Sequence, residues 1–120
     1  MATNRIFERG RQFEADVSGV TGTGTAGLVL SGDPVVIGQL PGVALTTEDA
    51  DGMATIQCDG VFDIPVKGET TANAAIAVGA IVYFDTDKLN ADASNGVRFG
   101  YALEGVSSGA TSTIRVKVGY

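Results

Sequence analysis

Histidine and tryptophan are absent from this 120-residue sequence, and cysteine occurs once. Without histidine the chain lacks the commonest general base and the commonest transition-metal ligand. A lone cysteine, Cys58, excludes an internal disulfide. It falls on the apolar side of an alternating stretch, so it is expected to act as a small hydrophobe and not as a reactive thiol. Aromatics are 7% of residues, and the only tyrosines are Tyr83, Tyr101 and Tyr120. That is thin material for the exposed ring platforms of a glycan site. Tyr83 and Tyr101 sit in strand alternation and are expected in the core. No run is apolar enough for a transmembrane helix. Residues 1–12 are polar and Arg-rich with no apolar segment of signal-peptide type, so the chain is expected to start in a cytoplasm. Net charge is −6, which argues against general nucleic-acid binding. The charge is uneven. Residues 1–12 carry Arg5, Arg9 and Arg11 against Glu8, a net +2, and the remainder is −8.

What is present is glycine, 17 residues of it, with many Val, Ile, Leu and Ala. This suits short strands joined by tight turns. From Thr55 to Val66, Ile56, Cys58, Gly60, Phe62, Ile64 and Val66 alternate with mostly polar partners. That is the pattern of a half-buried strand. Part of the sequence recurs. Gly42-Val43-Ala44-Leu45 returns as Gly100-Tyr101-Ala102-Leu103, and Thr55-Ile56 as Thr113-Ile114, both 58 positions later. A looser echo of Gly32–Val36 in Gly79–Tyr83 lies 47 positions on, so the second copy holds about eleven extra residues. Two copies are too few for a solenoid. They predict two similar halves closing one small barrel or sandwich.

The expected class is therefore all-β, a small antiparallel barrel or sandwich of eight to ten strands with an internal pseudo-repeat. Strands are predicted at 13–17, 33–37, 43–46, 53–66 (a pair bent at Gly60), 80–85, 97–104 and 111–118. Val97, Phe99, Tyr101 and Leu103 are predicted to point inward. Asp51-Gly52 and Asn95-Gly96 predict type I′ hairpins. Residues 85–96 read as a polar loop, and 68–77 as the one place for a helical turn. Residues 1–12 read as a flexible arm that orders on contact with a partner, or as a ragged terminus, before one β-domain at 13–120.

No motif carries chemistry. Gly22-Thr23-Gly24-Thr25-Ala26-Gly27 is formally GxGxxG, but Leu28-Val29-Leu30-Ser31-Gly32-Asp33-Pro34 cannot be the helix that a dinucleotide site needs. No Lys follows the glycines, so it is not a P-loop either. Asp59 and Asp63 lie four residues apart on one strand face, roughly 13 Å. A glycosidase carboxylate pair spans at most about 9.5 Å. Asp85-Thr86-Asp87 opens like a calcium loop, but Leu89 and Asn90 stand where an acidic or amide ligand and a glycine belong. A solvated turn fits better. The chain reads as a non-enzyme with no catalytic, cofactor or metal residues.

Six segments in order resemble a known family: MATNRIFERGRQ, SGDPVVIG, GVALT, DGVFDIPV, VGAIVYFD and FGYALEGVSSGATSTIRV. They are similar to small phage proteins, long labelled a domain of unknown function, that act as capsid cement or head-decoration proteins. The loops at 19–27 and 85–96 fall outside the likeness. The resemblance implies a structural virion protein on the outside of the expanded head, reached from the host cytoplasm during assembly. It implies the major capsid protein as partner and binding as a small oligomer, a homo-trimer at local three-fold axes or else a dimer. No cofactor, nucleic acid or membrane is implied. Within that frame Arg5, Ile6, Phe7, Arg9 and Arg11 are the expected capsid-binding residues. The alternative is a carbohydrate- or receptor-binding appendage of head or tail.

Overall fold

The computed structural model describes residues 12–85 and 88–119. Nine strands run through them: β1 (Gln12–Asp16), β2 (Pro34–Ile37), β3 (Leu40–Ala44), β4 (Met53–Gln57), β5 (Gly60–Lys67), β6 (Ile81–Asp85), β7 (Lys88–Asn90), β8 (Val97–Ala102) and β9 (Thr111–Val118). The first four form a sheet in the order β1-β4-β3-β2. The other five close a barrel in the order β5-β7-β6-β8-β9. Alternation makes these strands. In β9, Ile114, Val116 and Val118 are buried and their neighbours are not. Ile56, Ile64 and Val66 are likewise fully buried.

The repeat is structural. Gln12 pairs with Gln57 in β1–β4, and Asp63, 51 positions after Gln12, pairs with Arg115, 58 after Gln57. The turn hydrogen bonds recur too. The Gly32 N–H donates to Ala44 O at 2.7 Å, and the Gly79 N–H to Ala102 O at 2.7 Å. Glu48 donates to Val29 O, and Val106 to Ile76 O, both at 2.9 Å. Hence β1-β4-β3-β2 corresponds to β5-β9-β8-β6. The two halves do not close one barrel together, as the repeat predicts. The second half closes its own, and the extra strand is β7. Where β2 turns into β3 through Gly38 and Gln39, β7 and the residues from 91 to 96 stand between β6 and β8. The expected polar loop thus holds a strand. It pairs antiparallel with β6 and parallel with β5 through Val66 and Leu89. Three residues with one large apolar side chain leave no period to read.

Three further expectations change. Phe99 points inward, but Tyr101 is half-buried and Leu103 is 39% exposed, whereas Ala102 is buried. The register explains this. Val82 pairs with Gly100 and Tyr83 with Arg98, so Phe99 is an extra residue in β8. Such a bulge flips the facing beyond it. Tyr83 is half-buried as well, on the outer side of β6. Residues 68–77 form two isolated bridges and no helical turn; among the described residues the single 3₁₀ turn is Thr25–Gly27. Asn95-Gly96 is not a hairpin, because β7 and β8 flank β6 on opposite sides. Its turn is built by Asp92, whose Oδ1 accepts from the N–H groups of Ser94 and Asn95 at 3.0 and 3.2 Å.

Asp51-Gly52 does join β3 to β4, but not as a type I′ turn. Gly52 alone takes positive φ, +78°. Its N–H donates to Asp49 O, while Asp49 N–H donates to Met53 O. This is a three-residue loop with glycine in the left-handed position. A Cβ there would also come within 2.7 Å of Ser18 Cβ. Gly52→Val should cost about 1–3 kcal/mol from backbone strain, with overlap adding to it. Urea denaturation measures this, and an unchanged midpoint would refute the turn assignment.

Candidate functional site: surfaces, charge and the cleft between the halves

Arg5, Ile6, Phe7, Arg9 and Arg11 lie outside the described residues. What is described is where they lead. Residue 11 joins directly to Gln12, the first residue of β1, and β1 is an outer strand of its sheet. Glu14 and Asp16 on β1 are exposed.

Charge divides by half. Residues 13–57 carry Glu14, Asp16, Asp33, Glu48, Asp49 and Asp51 and no Lys or Arg, a net −6. Residues 58–120 carry seven acidic and five basic residues, a net −2. The sequence signal for this is a count by segment within the body.

Where the halves meet, a cleft of about 360 Å³ is lined by Thr21–Thr23 and Gly32–Pro34 on one side and by Pro65, Lys67, Lys88, Leu89 and Thr111 on the other. The GxGxxG loop forms part of this rim, and its glycines serve backbone contact. The Gly22 N–H donates to Gly27 O at 2.7 Å and the Gly24 N–H to Leu28 O at 2.8 Å. A Cβ on Gly22 would lie 2.4 Å from Leu28 O. Asp33, 7% exposed, fastens the loop. Its carboxylate accepts from the Thr23 N–H (2.9 Å), the Thr23 hydroxyl (2.7 Å) and the Leu30 N–H (2.8 Å).

Both lysines of the cleft are tied to Glu69. Lys88 Nζ lies 2.7 Å from Glu69 Oε1 and Lys67 Nζ 3.1 Å from Oε2. Asn90 Nδ2 donates to the same carboxylate at 3.4 Å. This cluster fixes β7 to the end of β5. The bonds from Lys88 and then Lys67 hold the Glu69 carboxyl down at about 2, from an ordinary 4.5. A carboxyl lowered by folding stabilises the fold above its unfolded value and loses that contribution as pH falls towards its folded one. Stability should therefore decline between pH 4.5 and about 2. Glu69→Gln should flatten that slope. A residual slope stays, because the Asn95 amide lowers Asp92 and the Ser18 hydroxyl lowers Asp16. Denaturation midpoints across this range, equal in slope for both proteins, would refute the role of Glu69.

Cys58 lies between β4 and β5, half-buried, and not within a strand as its alternation suggests. Burial first, and Asp59 second, push its thiol up. Among the described residues no group of His, Cys, Asp or Glu could hold a metal ion. On the outer barrel face, Arg98 hydrogen-bonds the Tyr101 hydroxyl, and Lys117 Nζ stands 5.8 Å from the Tyr101 ring centroid. Val61 (53% exposed) and Val78 (69%) are the most exposed large apolar residues described. The arrangement offers contact surfaces and a docked strand.

Neither a curated protein nor a solved structure matches the chain. A family model described as phage cement protein does match, over residues 12–118. The likeness read from the segments and the all-β fold agree with that match, and the chain belongs to the phage cement protein family.

Proposed function

We propose that this protein binds the outer surface of the expanded phage head and stabilises contacts between neighbouring major capsid subunits. The observation that carries the reading is the family match across nearly the whole chain. The fold supports it, since two small β units stapled by turns suit a rigid clamp. Residues 1–12 act as the arm and 13–120 as the body, with β1 opening at Gln12. Arg5, Ile6, Phe7, Arg9 and Arg11 meet the capsid, the arginines on carboxylates and the apolar pair in a dry contact. The protein works as a homo-trimer on local three-fold axes, with a dimer as the other closed form. It is made in the host cytoplasm and joins heads there, without catalysis or cofactor.

The test is to add purified protein to expanded heads that lack it. Outer-surface density in trimers and a higher head-melting temperature are expected. Failure to bind, or single copies without mutual contact, would refute the respective claims. The appendage reading draws on the outer-face position of Tyr83 and Tyr101. The Tyr101 ring is already engaged by Arg98 and Lys117, which leaves it a poor sugar platform. Glycan-array binding that Tyr101→Ala abolishes would restore that reading.

A further inference from the structure

The two halves differ by one strand. In the second half β7 fills the space between β5 and β6, and Leu89 is fully buried there between Val66 and Phe84. In the first half the corresponding strands, β1 and β2, are the outer strands of an open sheet. Ala15 corresponds to Val66 and Ile37 to Phe84. Val66 is 0% exposed and Phe84 8%, while Ala15 and Ile37 are only partly buried. The first half is the second with its closing strand removed, and the residues that strand would cover are the less buried ones.

We propose that residues 1–11 of a second copy of this chain supply that strand, entering between β1 and β2 as β7 enters between β5 and β6. Three observations choose this occupant. The first half carries six acidic residues and no basic one, and residues 1–11 are net +2. Glu14 and Asp16 on β1 would flank the incoming backbone. Arg5-Ile6 repeats the cation-then-aliphatic order of Lys88-Leu89, so Ile6 takes the place of Leu89. Direction then decides the donor. β7 runs parallel to β5, so its counterpart runs parallel to β1. Parallel neighbours need a crossover of about a dozen residues or more. Ile6 in the place of Leu89 would pair with Ala15, only nine positions further on, and residues of both strands must come out of those nine as well. The chain cannot place its own arm this way, and a neighbour's can. Added strands gain main-chain hydrogen bonds on both sides. Donation from copy to copy is head-to-tail, which closes into a ring at the right rotation. Period-two alternation puts Ile6 and Glu8 on one face and Arg5, Phe7, Arg9 and Arg11 on the other. The second face points away from the sheet core. This deepens the cementing reading and narrows it: Ile6 goes into the neighbouring copy's sheet, which leaves Arg5, Phe7, Arg9 and Arg11 to meet the capsid, and the inference rests on that reading only for what this outer face touches.

The test uses full-length chains with Cys58→Ala. One carries Ile6→Cys. The other carries Ile37→Cys or, as a second reporter, Ala15→Cys. The two are mixed under oxidising conditions, in concentrated solution and on expanded heads. A disulfide between the two chains at either reporter, absent with Val61→Cys as control, is expected as a dimer band on a non-reducing gel. No inter-chain disulfide in solution or on heads would overturn the proposal. So would an intramolecular disulfide in the dilute Ile6→Cys/Ile37→Cys double variant, which would show the arm folding into its own sheet. Head decoration is scored separately, so a protein that cross-links without binding heads sinks the cementing reading alone.

Discussion

Removal of residues 2–11 is expected to leave the folding of the body nearly unchanged and to abolish stable decoration of heads. The body loses little because β1 begins at Gln12 and keeps its five pairs with β4, from Gln12–Gln57 to Asp16–Met53. None of the fully buried side chains described precedes Val17. Binding is expected to lose much because, in the proposed assembly, the arm acts in several copies at once. Linked weak contacts multiply, and losing them lowers apparent affinity by about 10²–10⁴-fold. The arginine contacts should make binding by the intact protein weaken as salt rises, since exposed charges are screened within about 8 Å at physiological ionic strength. Sedimentation of heads with bound protein across a salt series gives both numbers. Truncated protein that saturates heads with undiminished affinity would remove residues 1–11 from the mechanism and shift the contact to body residues such as Val61 and Val78.

Leu89→Ala is expected to be among the most damaging single changes in the barrel. Leu89 is fully buried, and it is the large apolar residue of a three-residue strand. Truncating a core leucine to alanine costs about 2–5 kcal/mol in transfer and cavity terms. Domains of ordinary stability have only about 5–15 kcal/mol to lose. β7 has little else to keep it in place: short pairings to β5 and β6, and the Glu69 cluster with Lys88 and Asn90. Ile37→Ala at the corresponding edge of the first half should cost clearly less, because that residue is only partly buried in the single chain. Urea denaturation of both variants makes the comparison. Equal losses would mean that the two halves are closed alike in the free protein, against the arrangement of strands described.

Much of the fold was legible because local chemistry decides it. Alternation at Ile56, Ile64, Ile114, Val116 and Val118 identified strands and their inner faces correctly. The offsets of 58 and 47 exposed the repeat, and the eleven residues between them proved to contain β7. Where the reading failed, a non-local partner set the outcome. Tyr101 and Leu103 turn outward because Phe99 has no opposite number on β6, and a bulge is a property of two strands. Asn95-Gly96 looked like a hairpin turn because a dipeptide does not reveal which strands it connects. Asp92 shapes that turn, and β6 lies between the strands on either side. The basic charge of residues 1–12 and their two large apolar residues, Ile6 and Phe7, are likewise plain in the sequence, but what they contact is not.

By itself, then, the sequence determined the all-β class, the duplicated half, the absence of histidine chemistry and the family, because each depends on residue type, period and order. Only the tertiary structure decided that the halves are unequal. Closure of a barrel depends on whether a strand lies between two edges distant in sequence. Leu89 meets Val66 and Phe84 in one half, whereas Ala15 and Ile37 border an open sheet in the other.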